Sequence, residues 1–141
     1  MSGAHHQRGI LDTSTVILLR HLDDPSALPA EPLITAITLA ELSVGPLVAR
    51  TPEEQAARQA LVQQAEADFT PLPFDAAAAR TFGRVATALR EAGRKPAARA
   101  YDALIAAIAL ANQLPVYTAN PSDFSGVPDL EVVAVDVPAL S

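Results

Sequence analysis

The run Gly9-Ile10-Leu11-Asp12 sets the first element of the chain, because a short apolar segment there ends on an acidic residue. Short apolar runs of this kind are typical of strands that are buried on both faces of a parallel sheet. Residues 13–22 follow directly with apolar side chains at helical spacing. We therefore predict a strand that passes straight into a helix, with Asp12 at the junction.

The same alternation of strand and helix continues along the rest of the chain. Further strands are predicted at residues 33–37, 115–118 and 130–135, with an edge strand or extended connection at 69–74. Further helices are predicted at residues 38–48, 53–67, 76–92 and 99–113. Strands separated by helices form parallel sheets that helices cover on both faces. We predict an α/β fold, an α/β/α sandwich whose parallel sheet of roughly four or five strands is flanked by helices.

Length and composition indicate one domain without disulfides. The chain has 141 residues and no cysteine, which excludes disulfides and cysteine-bound metals and suits a cytoplasmic protein. No apolar run reaches the roughly 20 residues that span a bilayer, and the polar N-terminus has no signal-peptide pattern. We expect residues 1–9 to form a disordered lead and residues 10–141 to form a single domain.

Positive charge is concentrated in one segment of an acidic chain. The net charge is −6, yet residues 80–99 hold six of the ten basic residues and only one acid, Glu91. That segment carries +5 and the remainder carries −11. Its last members, Arg94, Lys95 and Arg99, lead into Asp102. They are candidates for binding nucleic-acid phosphates, and a solvated helix face is the alternative for the segment.

Acidic residues are expected to meet at one edge of the sheet, where the strands end and the helices begin. The four candidates are Asp12, Glu41, Asp102 and Asp123. Each also has a purely structural explanation. Asp12 could cap a helix, Thr38-x-x-Glu41 is a capping box, Asp102 suits a helix N-terminus and Asp123 suits a turn. Asp136 also ends a strand and is considered only as a peripheral ligand.

Convergence of these acids would favour metal chemistry. Crowded carboxylates raise one another's pKa unless a cation neutralises them. Sites made only of oxygen ligands select hard cations such as Mg²⁺ or Mn²⁺. Two such ions roughly 4 Å apart activate water and stabilise the leaving oxygen in phosphodiester hydrolysis. The chain has no cysteine nucleophile, and we do not expect a histidine in the site. Carboxylate-held metal is therefore the simplest chemistry.

Four segments surround the acids: Ile10-Leu11-Asp12-Thr13-Ser14, Thr38-Leu39-Ala40-Glu41-Leu42-Ser43-Val44-Gly45, Tyr101-Asp102-Ala103-Leu104-Ile105-Ala106-Ala107 and Tyr117-Thr118-Ala119-Asn120-Pro121-Ser122-Asp123-Phe124. These segments resemble the PIN-domain family, and specifically the VapC-type toxins of VapBC toxin–antitoxin pairs. No one segment is decisive. Their order and spacing carry the resemblance, which spans residues 10–137.

The resemblance implies a PIN-like domain and a magnesium-dependent endoribonuclease that cleaves single-stranded RNA, with Mn²⁺ as a substitute. It implies an acidic quartet of Asp12, Glu41, Asp102 and Asp123. It also implies supporting roles for the polar positions Thr13, Ser14, Thr118 and Asn120. A homodimer and a small antitoxin that blocks the acidic groove are the implied partners.

Other classes fit the residues less well. A haloacid-dehalogenase-like phosphatase needs a second acid two residues after Asp12, where Ser14 stands, and a receiver domain needs a lysine after a late strand. A Rossmann domain needs glycines that the turn after Asp12 lacks. Two alternatives stay open: a PIN-like interaction module without catalysis, and a PIN nuclease that acts in RNA processing without an antitoxin.

Overall fold

The protein, represented by a computed structural model, is described at residues 6–22, 24–95 and 99–136. These residues contain a four-stranded parallel sheet in the order β2-β1-β3-β4. The strands are β1 (Arg8–Leu11), β2 (Glu31–Leu33), β3 (Val116–Thr118) and β4 (Val132–Ala134). The helices are α1 (Thr13–Ile17), α2 (Ala36–Val44), α3 (Pro52–Asp68), α4 (Ala76–Glu91) and α5 (Ala100–Ala111). The predicted α/β class is confirmed.

A further extended segment touches the sheet beyond β2. The Leu72 N–H donates to the Ile34 carbonyl at 3.0 Å, and the Ala36 N–H donates to the Leu72 carbonyl at 2.8 Å. Pro71 and Pro73 flank Leu72 and have no N–H to donate, so the segment makes a single parallel bridge. This is the edge connection that the two prolines predict.

The core lies on both faces of the sheet, because successive residues of a strand point to opposite sides. Ile10 and Val116 pack with α4 and α5 on one face. Leu11 and Tyr117 pack with α1, α2 and α3 on the other. The predicted sandwich of helices around a parallel sheet is therefore confirmed.

Several boundaries differ from the sequence-based predictions; β2, for example, covers Glu31–Leu33 where a strand was predicted at residues 33–37. Helix α1 ends at Ile17 and a 3₁₀ turn, Leu19–His21, replaces its predicted last turns. Helix α2 begins at Ala36 because Thr35, not Thr38, is its N-cap, so the predicted capping box at Glu41 was wrong. Strand β1 begins at Arg8, because Arg8 and Gly9 pair with Glu31 and Pro32 of β2 instead of forming part of the lead.

Residues 1–5 of the expected lead and residues 137–141 of the expected domain lie outside the described ranges. In the part that is described, none of the helices combines the length and the apolar character needed to cross a bilayer.

Candidate active site

Asp12 lies where β1 passes into α1 and is only 2% exposed. Its backbone is extended, and its side chain caps α1 by accepting from the Thr15 N–H at 3.0 Å. The structural role foreseen for Asp12 is therefore real. A cap, however, uses only one carboxylate lone pair, and the other contacts of this side chain need a separate explanation.

Three hydroxyl groups surround the Asp12 carboxylate. Thr15 Oγ1 donates to Oδ1 at 2.7 Å, and Thr118 Oγ1 donates to Oδ2 at 2.7 Å. Both of these threonines are buried. Ser14 Oγ lies 3.0 and 3.1 Å from the two oxygens, and Ser14 is partly exposed. Because one hydroxyl proton is shared between two acceptors there, Ser14 is the loosest of these contacts and lies on the more open side of the carboxylate.

Glu41 lies in the second turn of α2, beyond the reach of the N-cap. Thr13 Oγ1 donates to Glu41 Oε1 at 2.6 Å and is 2.9 Å from Thr38 Oγ1. Burial raises the pKa of Glu41; the Thr13 hydrogen bond opposes this shift, and the negative charge of Asp12 adds to it. Glu41 is thus held toward Asp12 by a threonine that follows Asp12 in the chain.

Asp102 lies in the first turn of α5, and the neighbouring acids shift its pKa. Its pKa is raised from 3.8 to about 6, first by burial and then by the charges of Asp123, Asp12 and Glu41, while Arg99 lowers it. The acids therefore lie within electrostatic range of one another at one edge of the sheet. In the described part of the chain, no three His, Asp or Glu side chains already form a metal-binding group.

Asp123 lies in the 3₁₀ turn Pro121–Phe124 and is paired with Arg99, whose Nη1 donates to Asp123 Oδ1. Arg99, predicted to contact RNA, thus contacts a site acid. Asp136 is exposed after β4 and is not among the charges that shift the pKa of Asp102.

Three predicted residues remain: Arg94, Lys95 and Asn120. Lys95 is exposed, and the Arg94 side chain lies beside Gly126, where an added Cβ would be 3.4 Å from Arg94 Cδ. Asn120 is exposed, and its backbone N–H donates to Thr118 Oγ1 at 2.9 Å. Thr13, Ser14 and Thr118 touch site carboxylates directly, whereas Asn120 reaches Asp12 only through Thr118.

Two buried threonines, Thr15 and Thr38, were missed by the sequence reasoning. Thr15 stands three residues after the N-cap Asp12, a spacing at which side chains on a helix face back toward the cap. That spacing could have indicated Thr15. The contact of Thr38 with Thr13 joins two helices, and the local pattern gives no indication of it.

The donor chemistry of this edge fits a hard divalent cation. The ligand candidates are all carboxylate and hydroxyl oxygens, which Mg²⁺ and Mn²⁺ prefer. Like charges raise the pKa of Asp102, and Arg99 lowers it. A divalent cation would relieve the repulsion that the Arg99 guanidinium only partly offsets.

Comparison with known proteins gives matches over most of the chain. The PIN domain family matches residues 10–130. The chain is 39% identical over 133 residues to ribonuclease VapC5 of Mycobacterium tuberculosis, covering 90% of this chain and 95% of the relative. It is 31% identical over 131 residues to ribonuclease VapC4 of the same organism, covering 92% and 98%. The crystal structure of VapBC-5 from Mycobacterium tuberculosis, a member of the VapBC family of toxin–antitoxin systems, matches with a TM-score of 0.78 and 37% identity. That match covers 92% of this chain and 99% of the other.

Proposed function

The chain belongs to the PIN-domain family and, within it, to the VapC ribonucleases, and we propose that it is the toxin of a VapBC-type pair that cleaves RNA at its acidic edge. The observation that carries this proposal is the electrostatic coupling of the four acids: the charges of Asp123, Asp12 and Glu41 all act on Asp102. A purely structural role does not explain such crowding of carboxylates, because the crowding lowers the stability of the folded chain.

We propose that Asp12 and Asp102 hold the principal Mg²⁺, with Glu41 and Asp123 completing its ligands directly or through water. Mn²⁺, which favours the same oxygen donors, is expected to substitute. When bound, the ion supplies an acidic water for attack on phosphorus and stabilises the charge that develops on the phosphate oxygens. Attack by water predicts products with 5′-phosphate and 3′-hydroxyl ends.

The polar neighbours hold the carboxylates in place. The hydroxyl of Thr118 fixes one oxygen of Asp12, and that of Thr13 fixes one oxygen of Glu41. Groups that orient ligands in this way contribute to metal affinity without touching the ion. Because Ser14 makes the loosest contact with Asp12, its hydroxyl is the one best able to turn toward water or substrate. Asn120, at the exposed start of the next turn, is placed to do the same.

The experiment that tests this function compares RNA cleavage by the wild type with cleavage by Asp12→Asn and Asp102→Asn. Each carboxylate is replaced by a group of similar shape, so the fold is expected to persist while cleavage is lost. Glu53→Gln is the matched control, because Glu53 is an exposed acid in the first turn of α3, as Asp102 is an acid in the first turn of α5. Full activity in both site variants would contradict the assignment. Products with 2′,3′-cyclic phosphate ends would show attack by the RNA 2′-hydroxyl instead of water.

RNA binding is proposed for Arg94, Lys95 and Arg99. These cations lie on the segment that leads into Asp102, and Arg99 reaches the site by pairing with Asp123. Replacing all three by Gln should flatten the salt dependence of RNA binding, because each phosphate contact contributes roughly 0.7 to the slope for single strands. An unchanged slope would leave the positive segment as a solvated helix face.

We propose a cognate antitoxin, a homodimer and a cytoplasmic location, where RNA is available. The antitoxin is supported by the similarity to a chain in a toxin–antitoxin structure. Two rival functions give different results. A PIN-like interaction module without catalysis would gain no stability from Mg²⁺, whereas an acid-crowded site should. A nuclease of RNA processing would cleave RNA, but no small protein encoded beside it would co-purify with it.

A further inference from the structure

Two consecutive backbone amides after β3 are linked to the Asp12 carboxylate by two threonine hydroxyls. The Ala119 N–H donates to Thr15 Oγ1 at 3.1 Å, and Thr15 Oγ1 donates to Asp12 Oδ1 at 2.7 Å. The Asn120 N–H donates to Thr118 Oγ1 at 2.9 Å, and Thr118 Oγ1 donates to Asp12 Oδ2 at 2.7 Å. Each carboxylate oxygen is therefore held by its own hydroxyl, and each hydroxyl is oriented by its own amide.

The hydroxyl of Thr15 is not needed to build α1. The cap of that helix uses the Thr15 backbone N–H, which any residue other than proline would supply. The side chain is 1% exposed, and valine would fill the same volume. A buried hydroxyl is costly unless it is paired, and this one is paired to Asp12 and to the segment after β3. Its contacts, not its packing, therefore distinguish Thr15 from valine.

A hydroxyl has one proton, and the geometry assigns it. Thr15 Oγ1 lies 2.7 Å from Asp12 Oδ1 and 3.3 Å from the Tyr117 carbonyl, so the proton is directed mainly at the carboxylate. The Ala119 N–H fills an acceptor position of the same oxygen. Rotation of the carboxylate about its last bond, a soft torsion in aspartate, would break this contact and the Thr118 contact together.

We propose that Thr15 is a positioning residue for the metal site: it fixes the plane of the Asp12 carboxylate and ties that carboxylate to the segment carrying Asn120 and Asp123. The proposal rests on the function proposed above, since it gives Asp12 the role of a metal ligand. Residues that orient metal ligands contribute about 10- to 100-fold to metal affinity. Loss of the Thr15 hydroxyl should therefore weaken metal binding while the helix cap stays in place.

The test is Mn²⁺ binding by the full chain, followed by the electron paramagnetic resonance of free Mn²⁺, with the wild type, Thr15→Val, Thr15→Ser and Thr81→Val. Thr81→Val is the matched control, because the Thr81 hydroxyl is also buried but donates within α4 to the Ala77 carbonyl. We expect Mn²⁺ to bind at least about tenfold more weakly to Thr15→Val. Thr15→Ser, which keeps the hydroxyl, and Thr81→Val should bind like the wild type.

Two results would overturn the proposal. Wild-type affinity in Thr15→Val would show that the hydroxyl has no bearing on the metal. Equal weakening in Thr15→Val and Thr15→Ser would show that keeping the hydroxyl does not preserve metal binding, and would assign the effect to packing around residue 15. If Thr15→Val does not fold, Thr15→Ala, which leaves room for a water beside Ala119, takes its place with the same expectation. Failure of the wild type to bind Mn²⁺ would instead contradict the proposed function itself, and Thr15 would lose its role with it.

Discussion

Replacing Asp102 by Asn should stabilise the metal-free protein, because this carboxylate is held where its charge is unfavourable. Its pKa in the folded chain is about 6, against an ordinary value of 3.8. The difference between 3.8 and about 6 corresponds to a destabilisation of the folded state by at most about 3 kcal/mol. Asp102 is partly exposed, so solvent screening reduces this destabilisation to roughly 1–2 kcal/mol. Asp102→Asn also loses the favourable interaction of the carboxylate with the N-terminus of α5, which reduces the expected gain in stability by a few tenths of a kcal/mol.

The expected gain is about 1 kcal/mol, or roughly 3–4 °C in Tm for a domain of this size. The size of this gain depends on pH. Because the pKa of Asp102 is raised on folding, ionisation penalises the folded state above pH 6, and the penalty fades as the pH falls from about 6 to 3.8. The difference in Tm between Asp102→Asn and the wild type should therefore be largest above pH 6 and should disappear near pH 4.

The assay is thermal unfolding in chelator and in excess Mg²⁺, with Glu53→Gln as the control that removes an equal charge from an exposed position in the first turn of α3. At 100 times the dissociation constant, Mg²⁺ should stabilise the wild type by about 2.7 kcal/mol. Asp102→Asn should lose most of that gain, so that the variant is more stable without metal and less stable with it. A metal-free variant less stable than the wild type at every pH would refute this reasoning and make Asp102 an ordinary helix acid.

Three further predictions concern single contacts. Gly9→Ala should destabilise the protein by about 1–3 kcal/mol in urea unfolding, because its Cβ would lie 2.6 Å from a carbon of the buried Tyr117 ring; unchanged stability would mean that the ring shifts freely. Thr13→Val should raise the pKa of Glu41 further, since the Thr13 hydrogen bond lowers it, and a carboxyl ¹³C titration showing no rise would contradict that contact. Arg99→Gln should raise the pKa of Asp102 above about 6, because the guanidinium lowers it; the same titration measures this, with Arg99→Lys as the charge-conserving control.

The approach of Asp12 and Asp102 to each other could be predicted because it follows from topology. In a parallel sheet with helical crossovers, strand ends and helix starts meet at one edge, so Asp12 and Asp102 were expected there from the order of elements alone. Asp12 ends a short apolar run, and Asp102 lies at the start of a predicted helix. Their electrostatic coupling follows from this arrangement once the strands pair as they do.

The boundary of α2 could not be predicted because two threonines fit the same local pattern. Thr35 and Thr38 each precede helix-forming residues, and only Thr38 has a glutamate at the capping-box spacing. In the structure, Thr35 forms the bridge with Leu72, which holds its backbone extended at the position of an N-cap. A tertiary contact therefore overrides the local preference, and Glu41 is left free of a capping role.

The hydroxyls around Asp12 were only partly foreseen, since side-chain contacts across distant segments leave little trace in one sequence. Thr118 was expected through the family resemblance, whereas Thr15 joins Ala119 in a contact that only the folded chain reveals. The pairing of Arg99 with Asp123 is of the same kind. The positive segment predicted a partner for Arg99, but it did not distinguish RNA from the protein's own acid.

Crystals grown with Mn²⁺ and measured for its anomalous scattering would examine the acidic edge most directly. The expected result is a strong anomalous difference peak for an ion that is bonded to carboxylate oxygens of both Asp12 and Asp102. No peak there, or a peak that touches only one of the two side chains, would contradict the shared-cation site from which RNA cleavage is inferred.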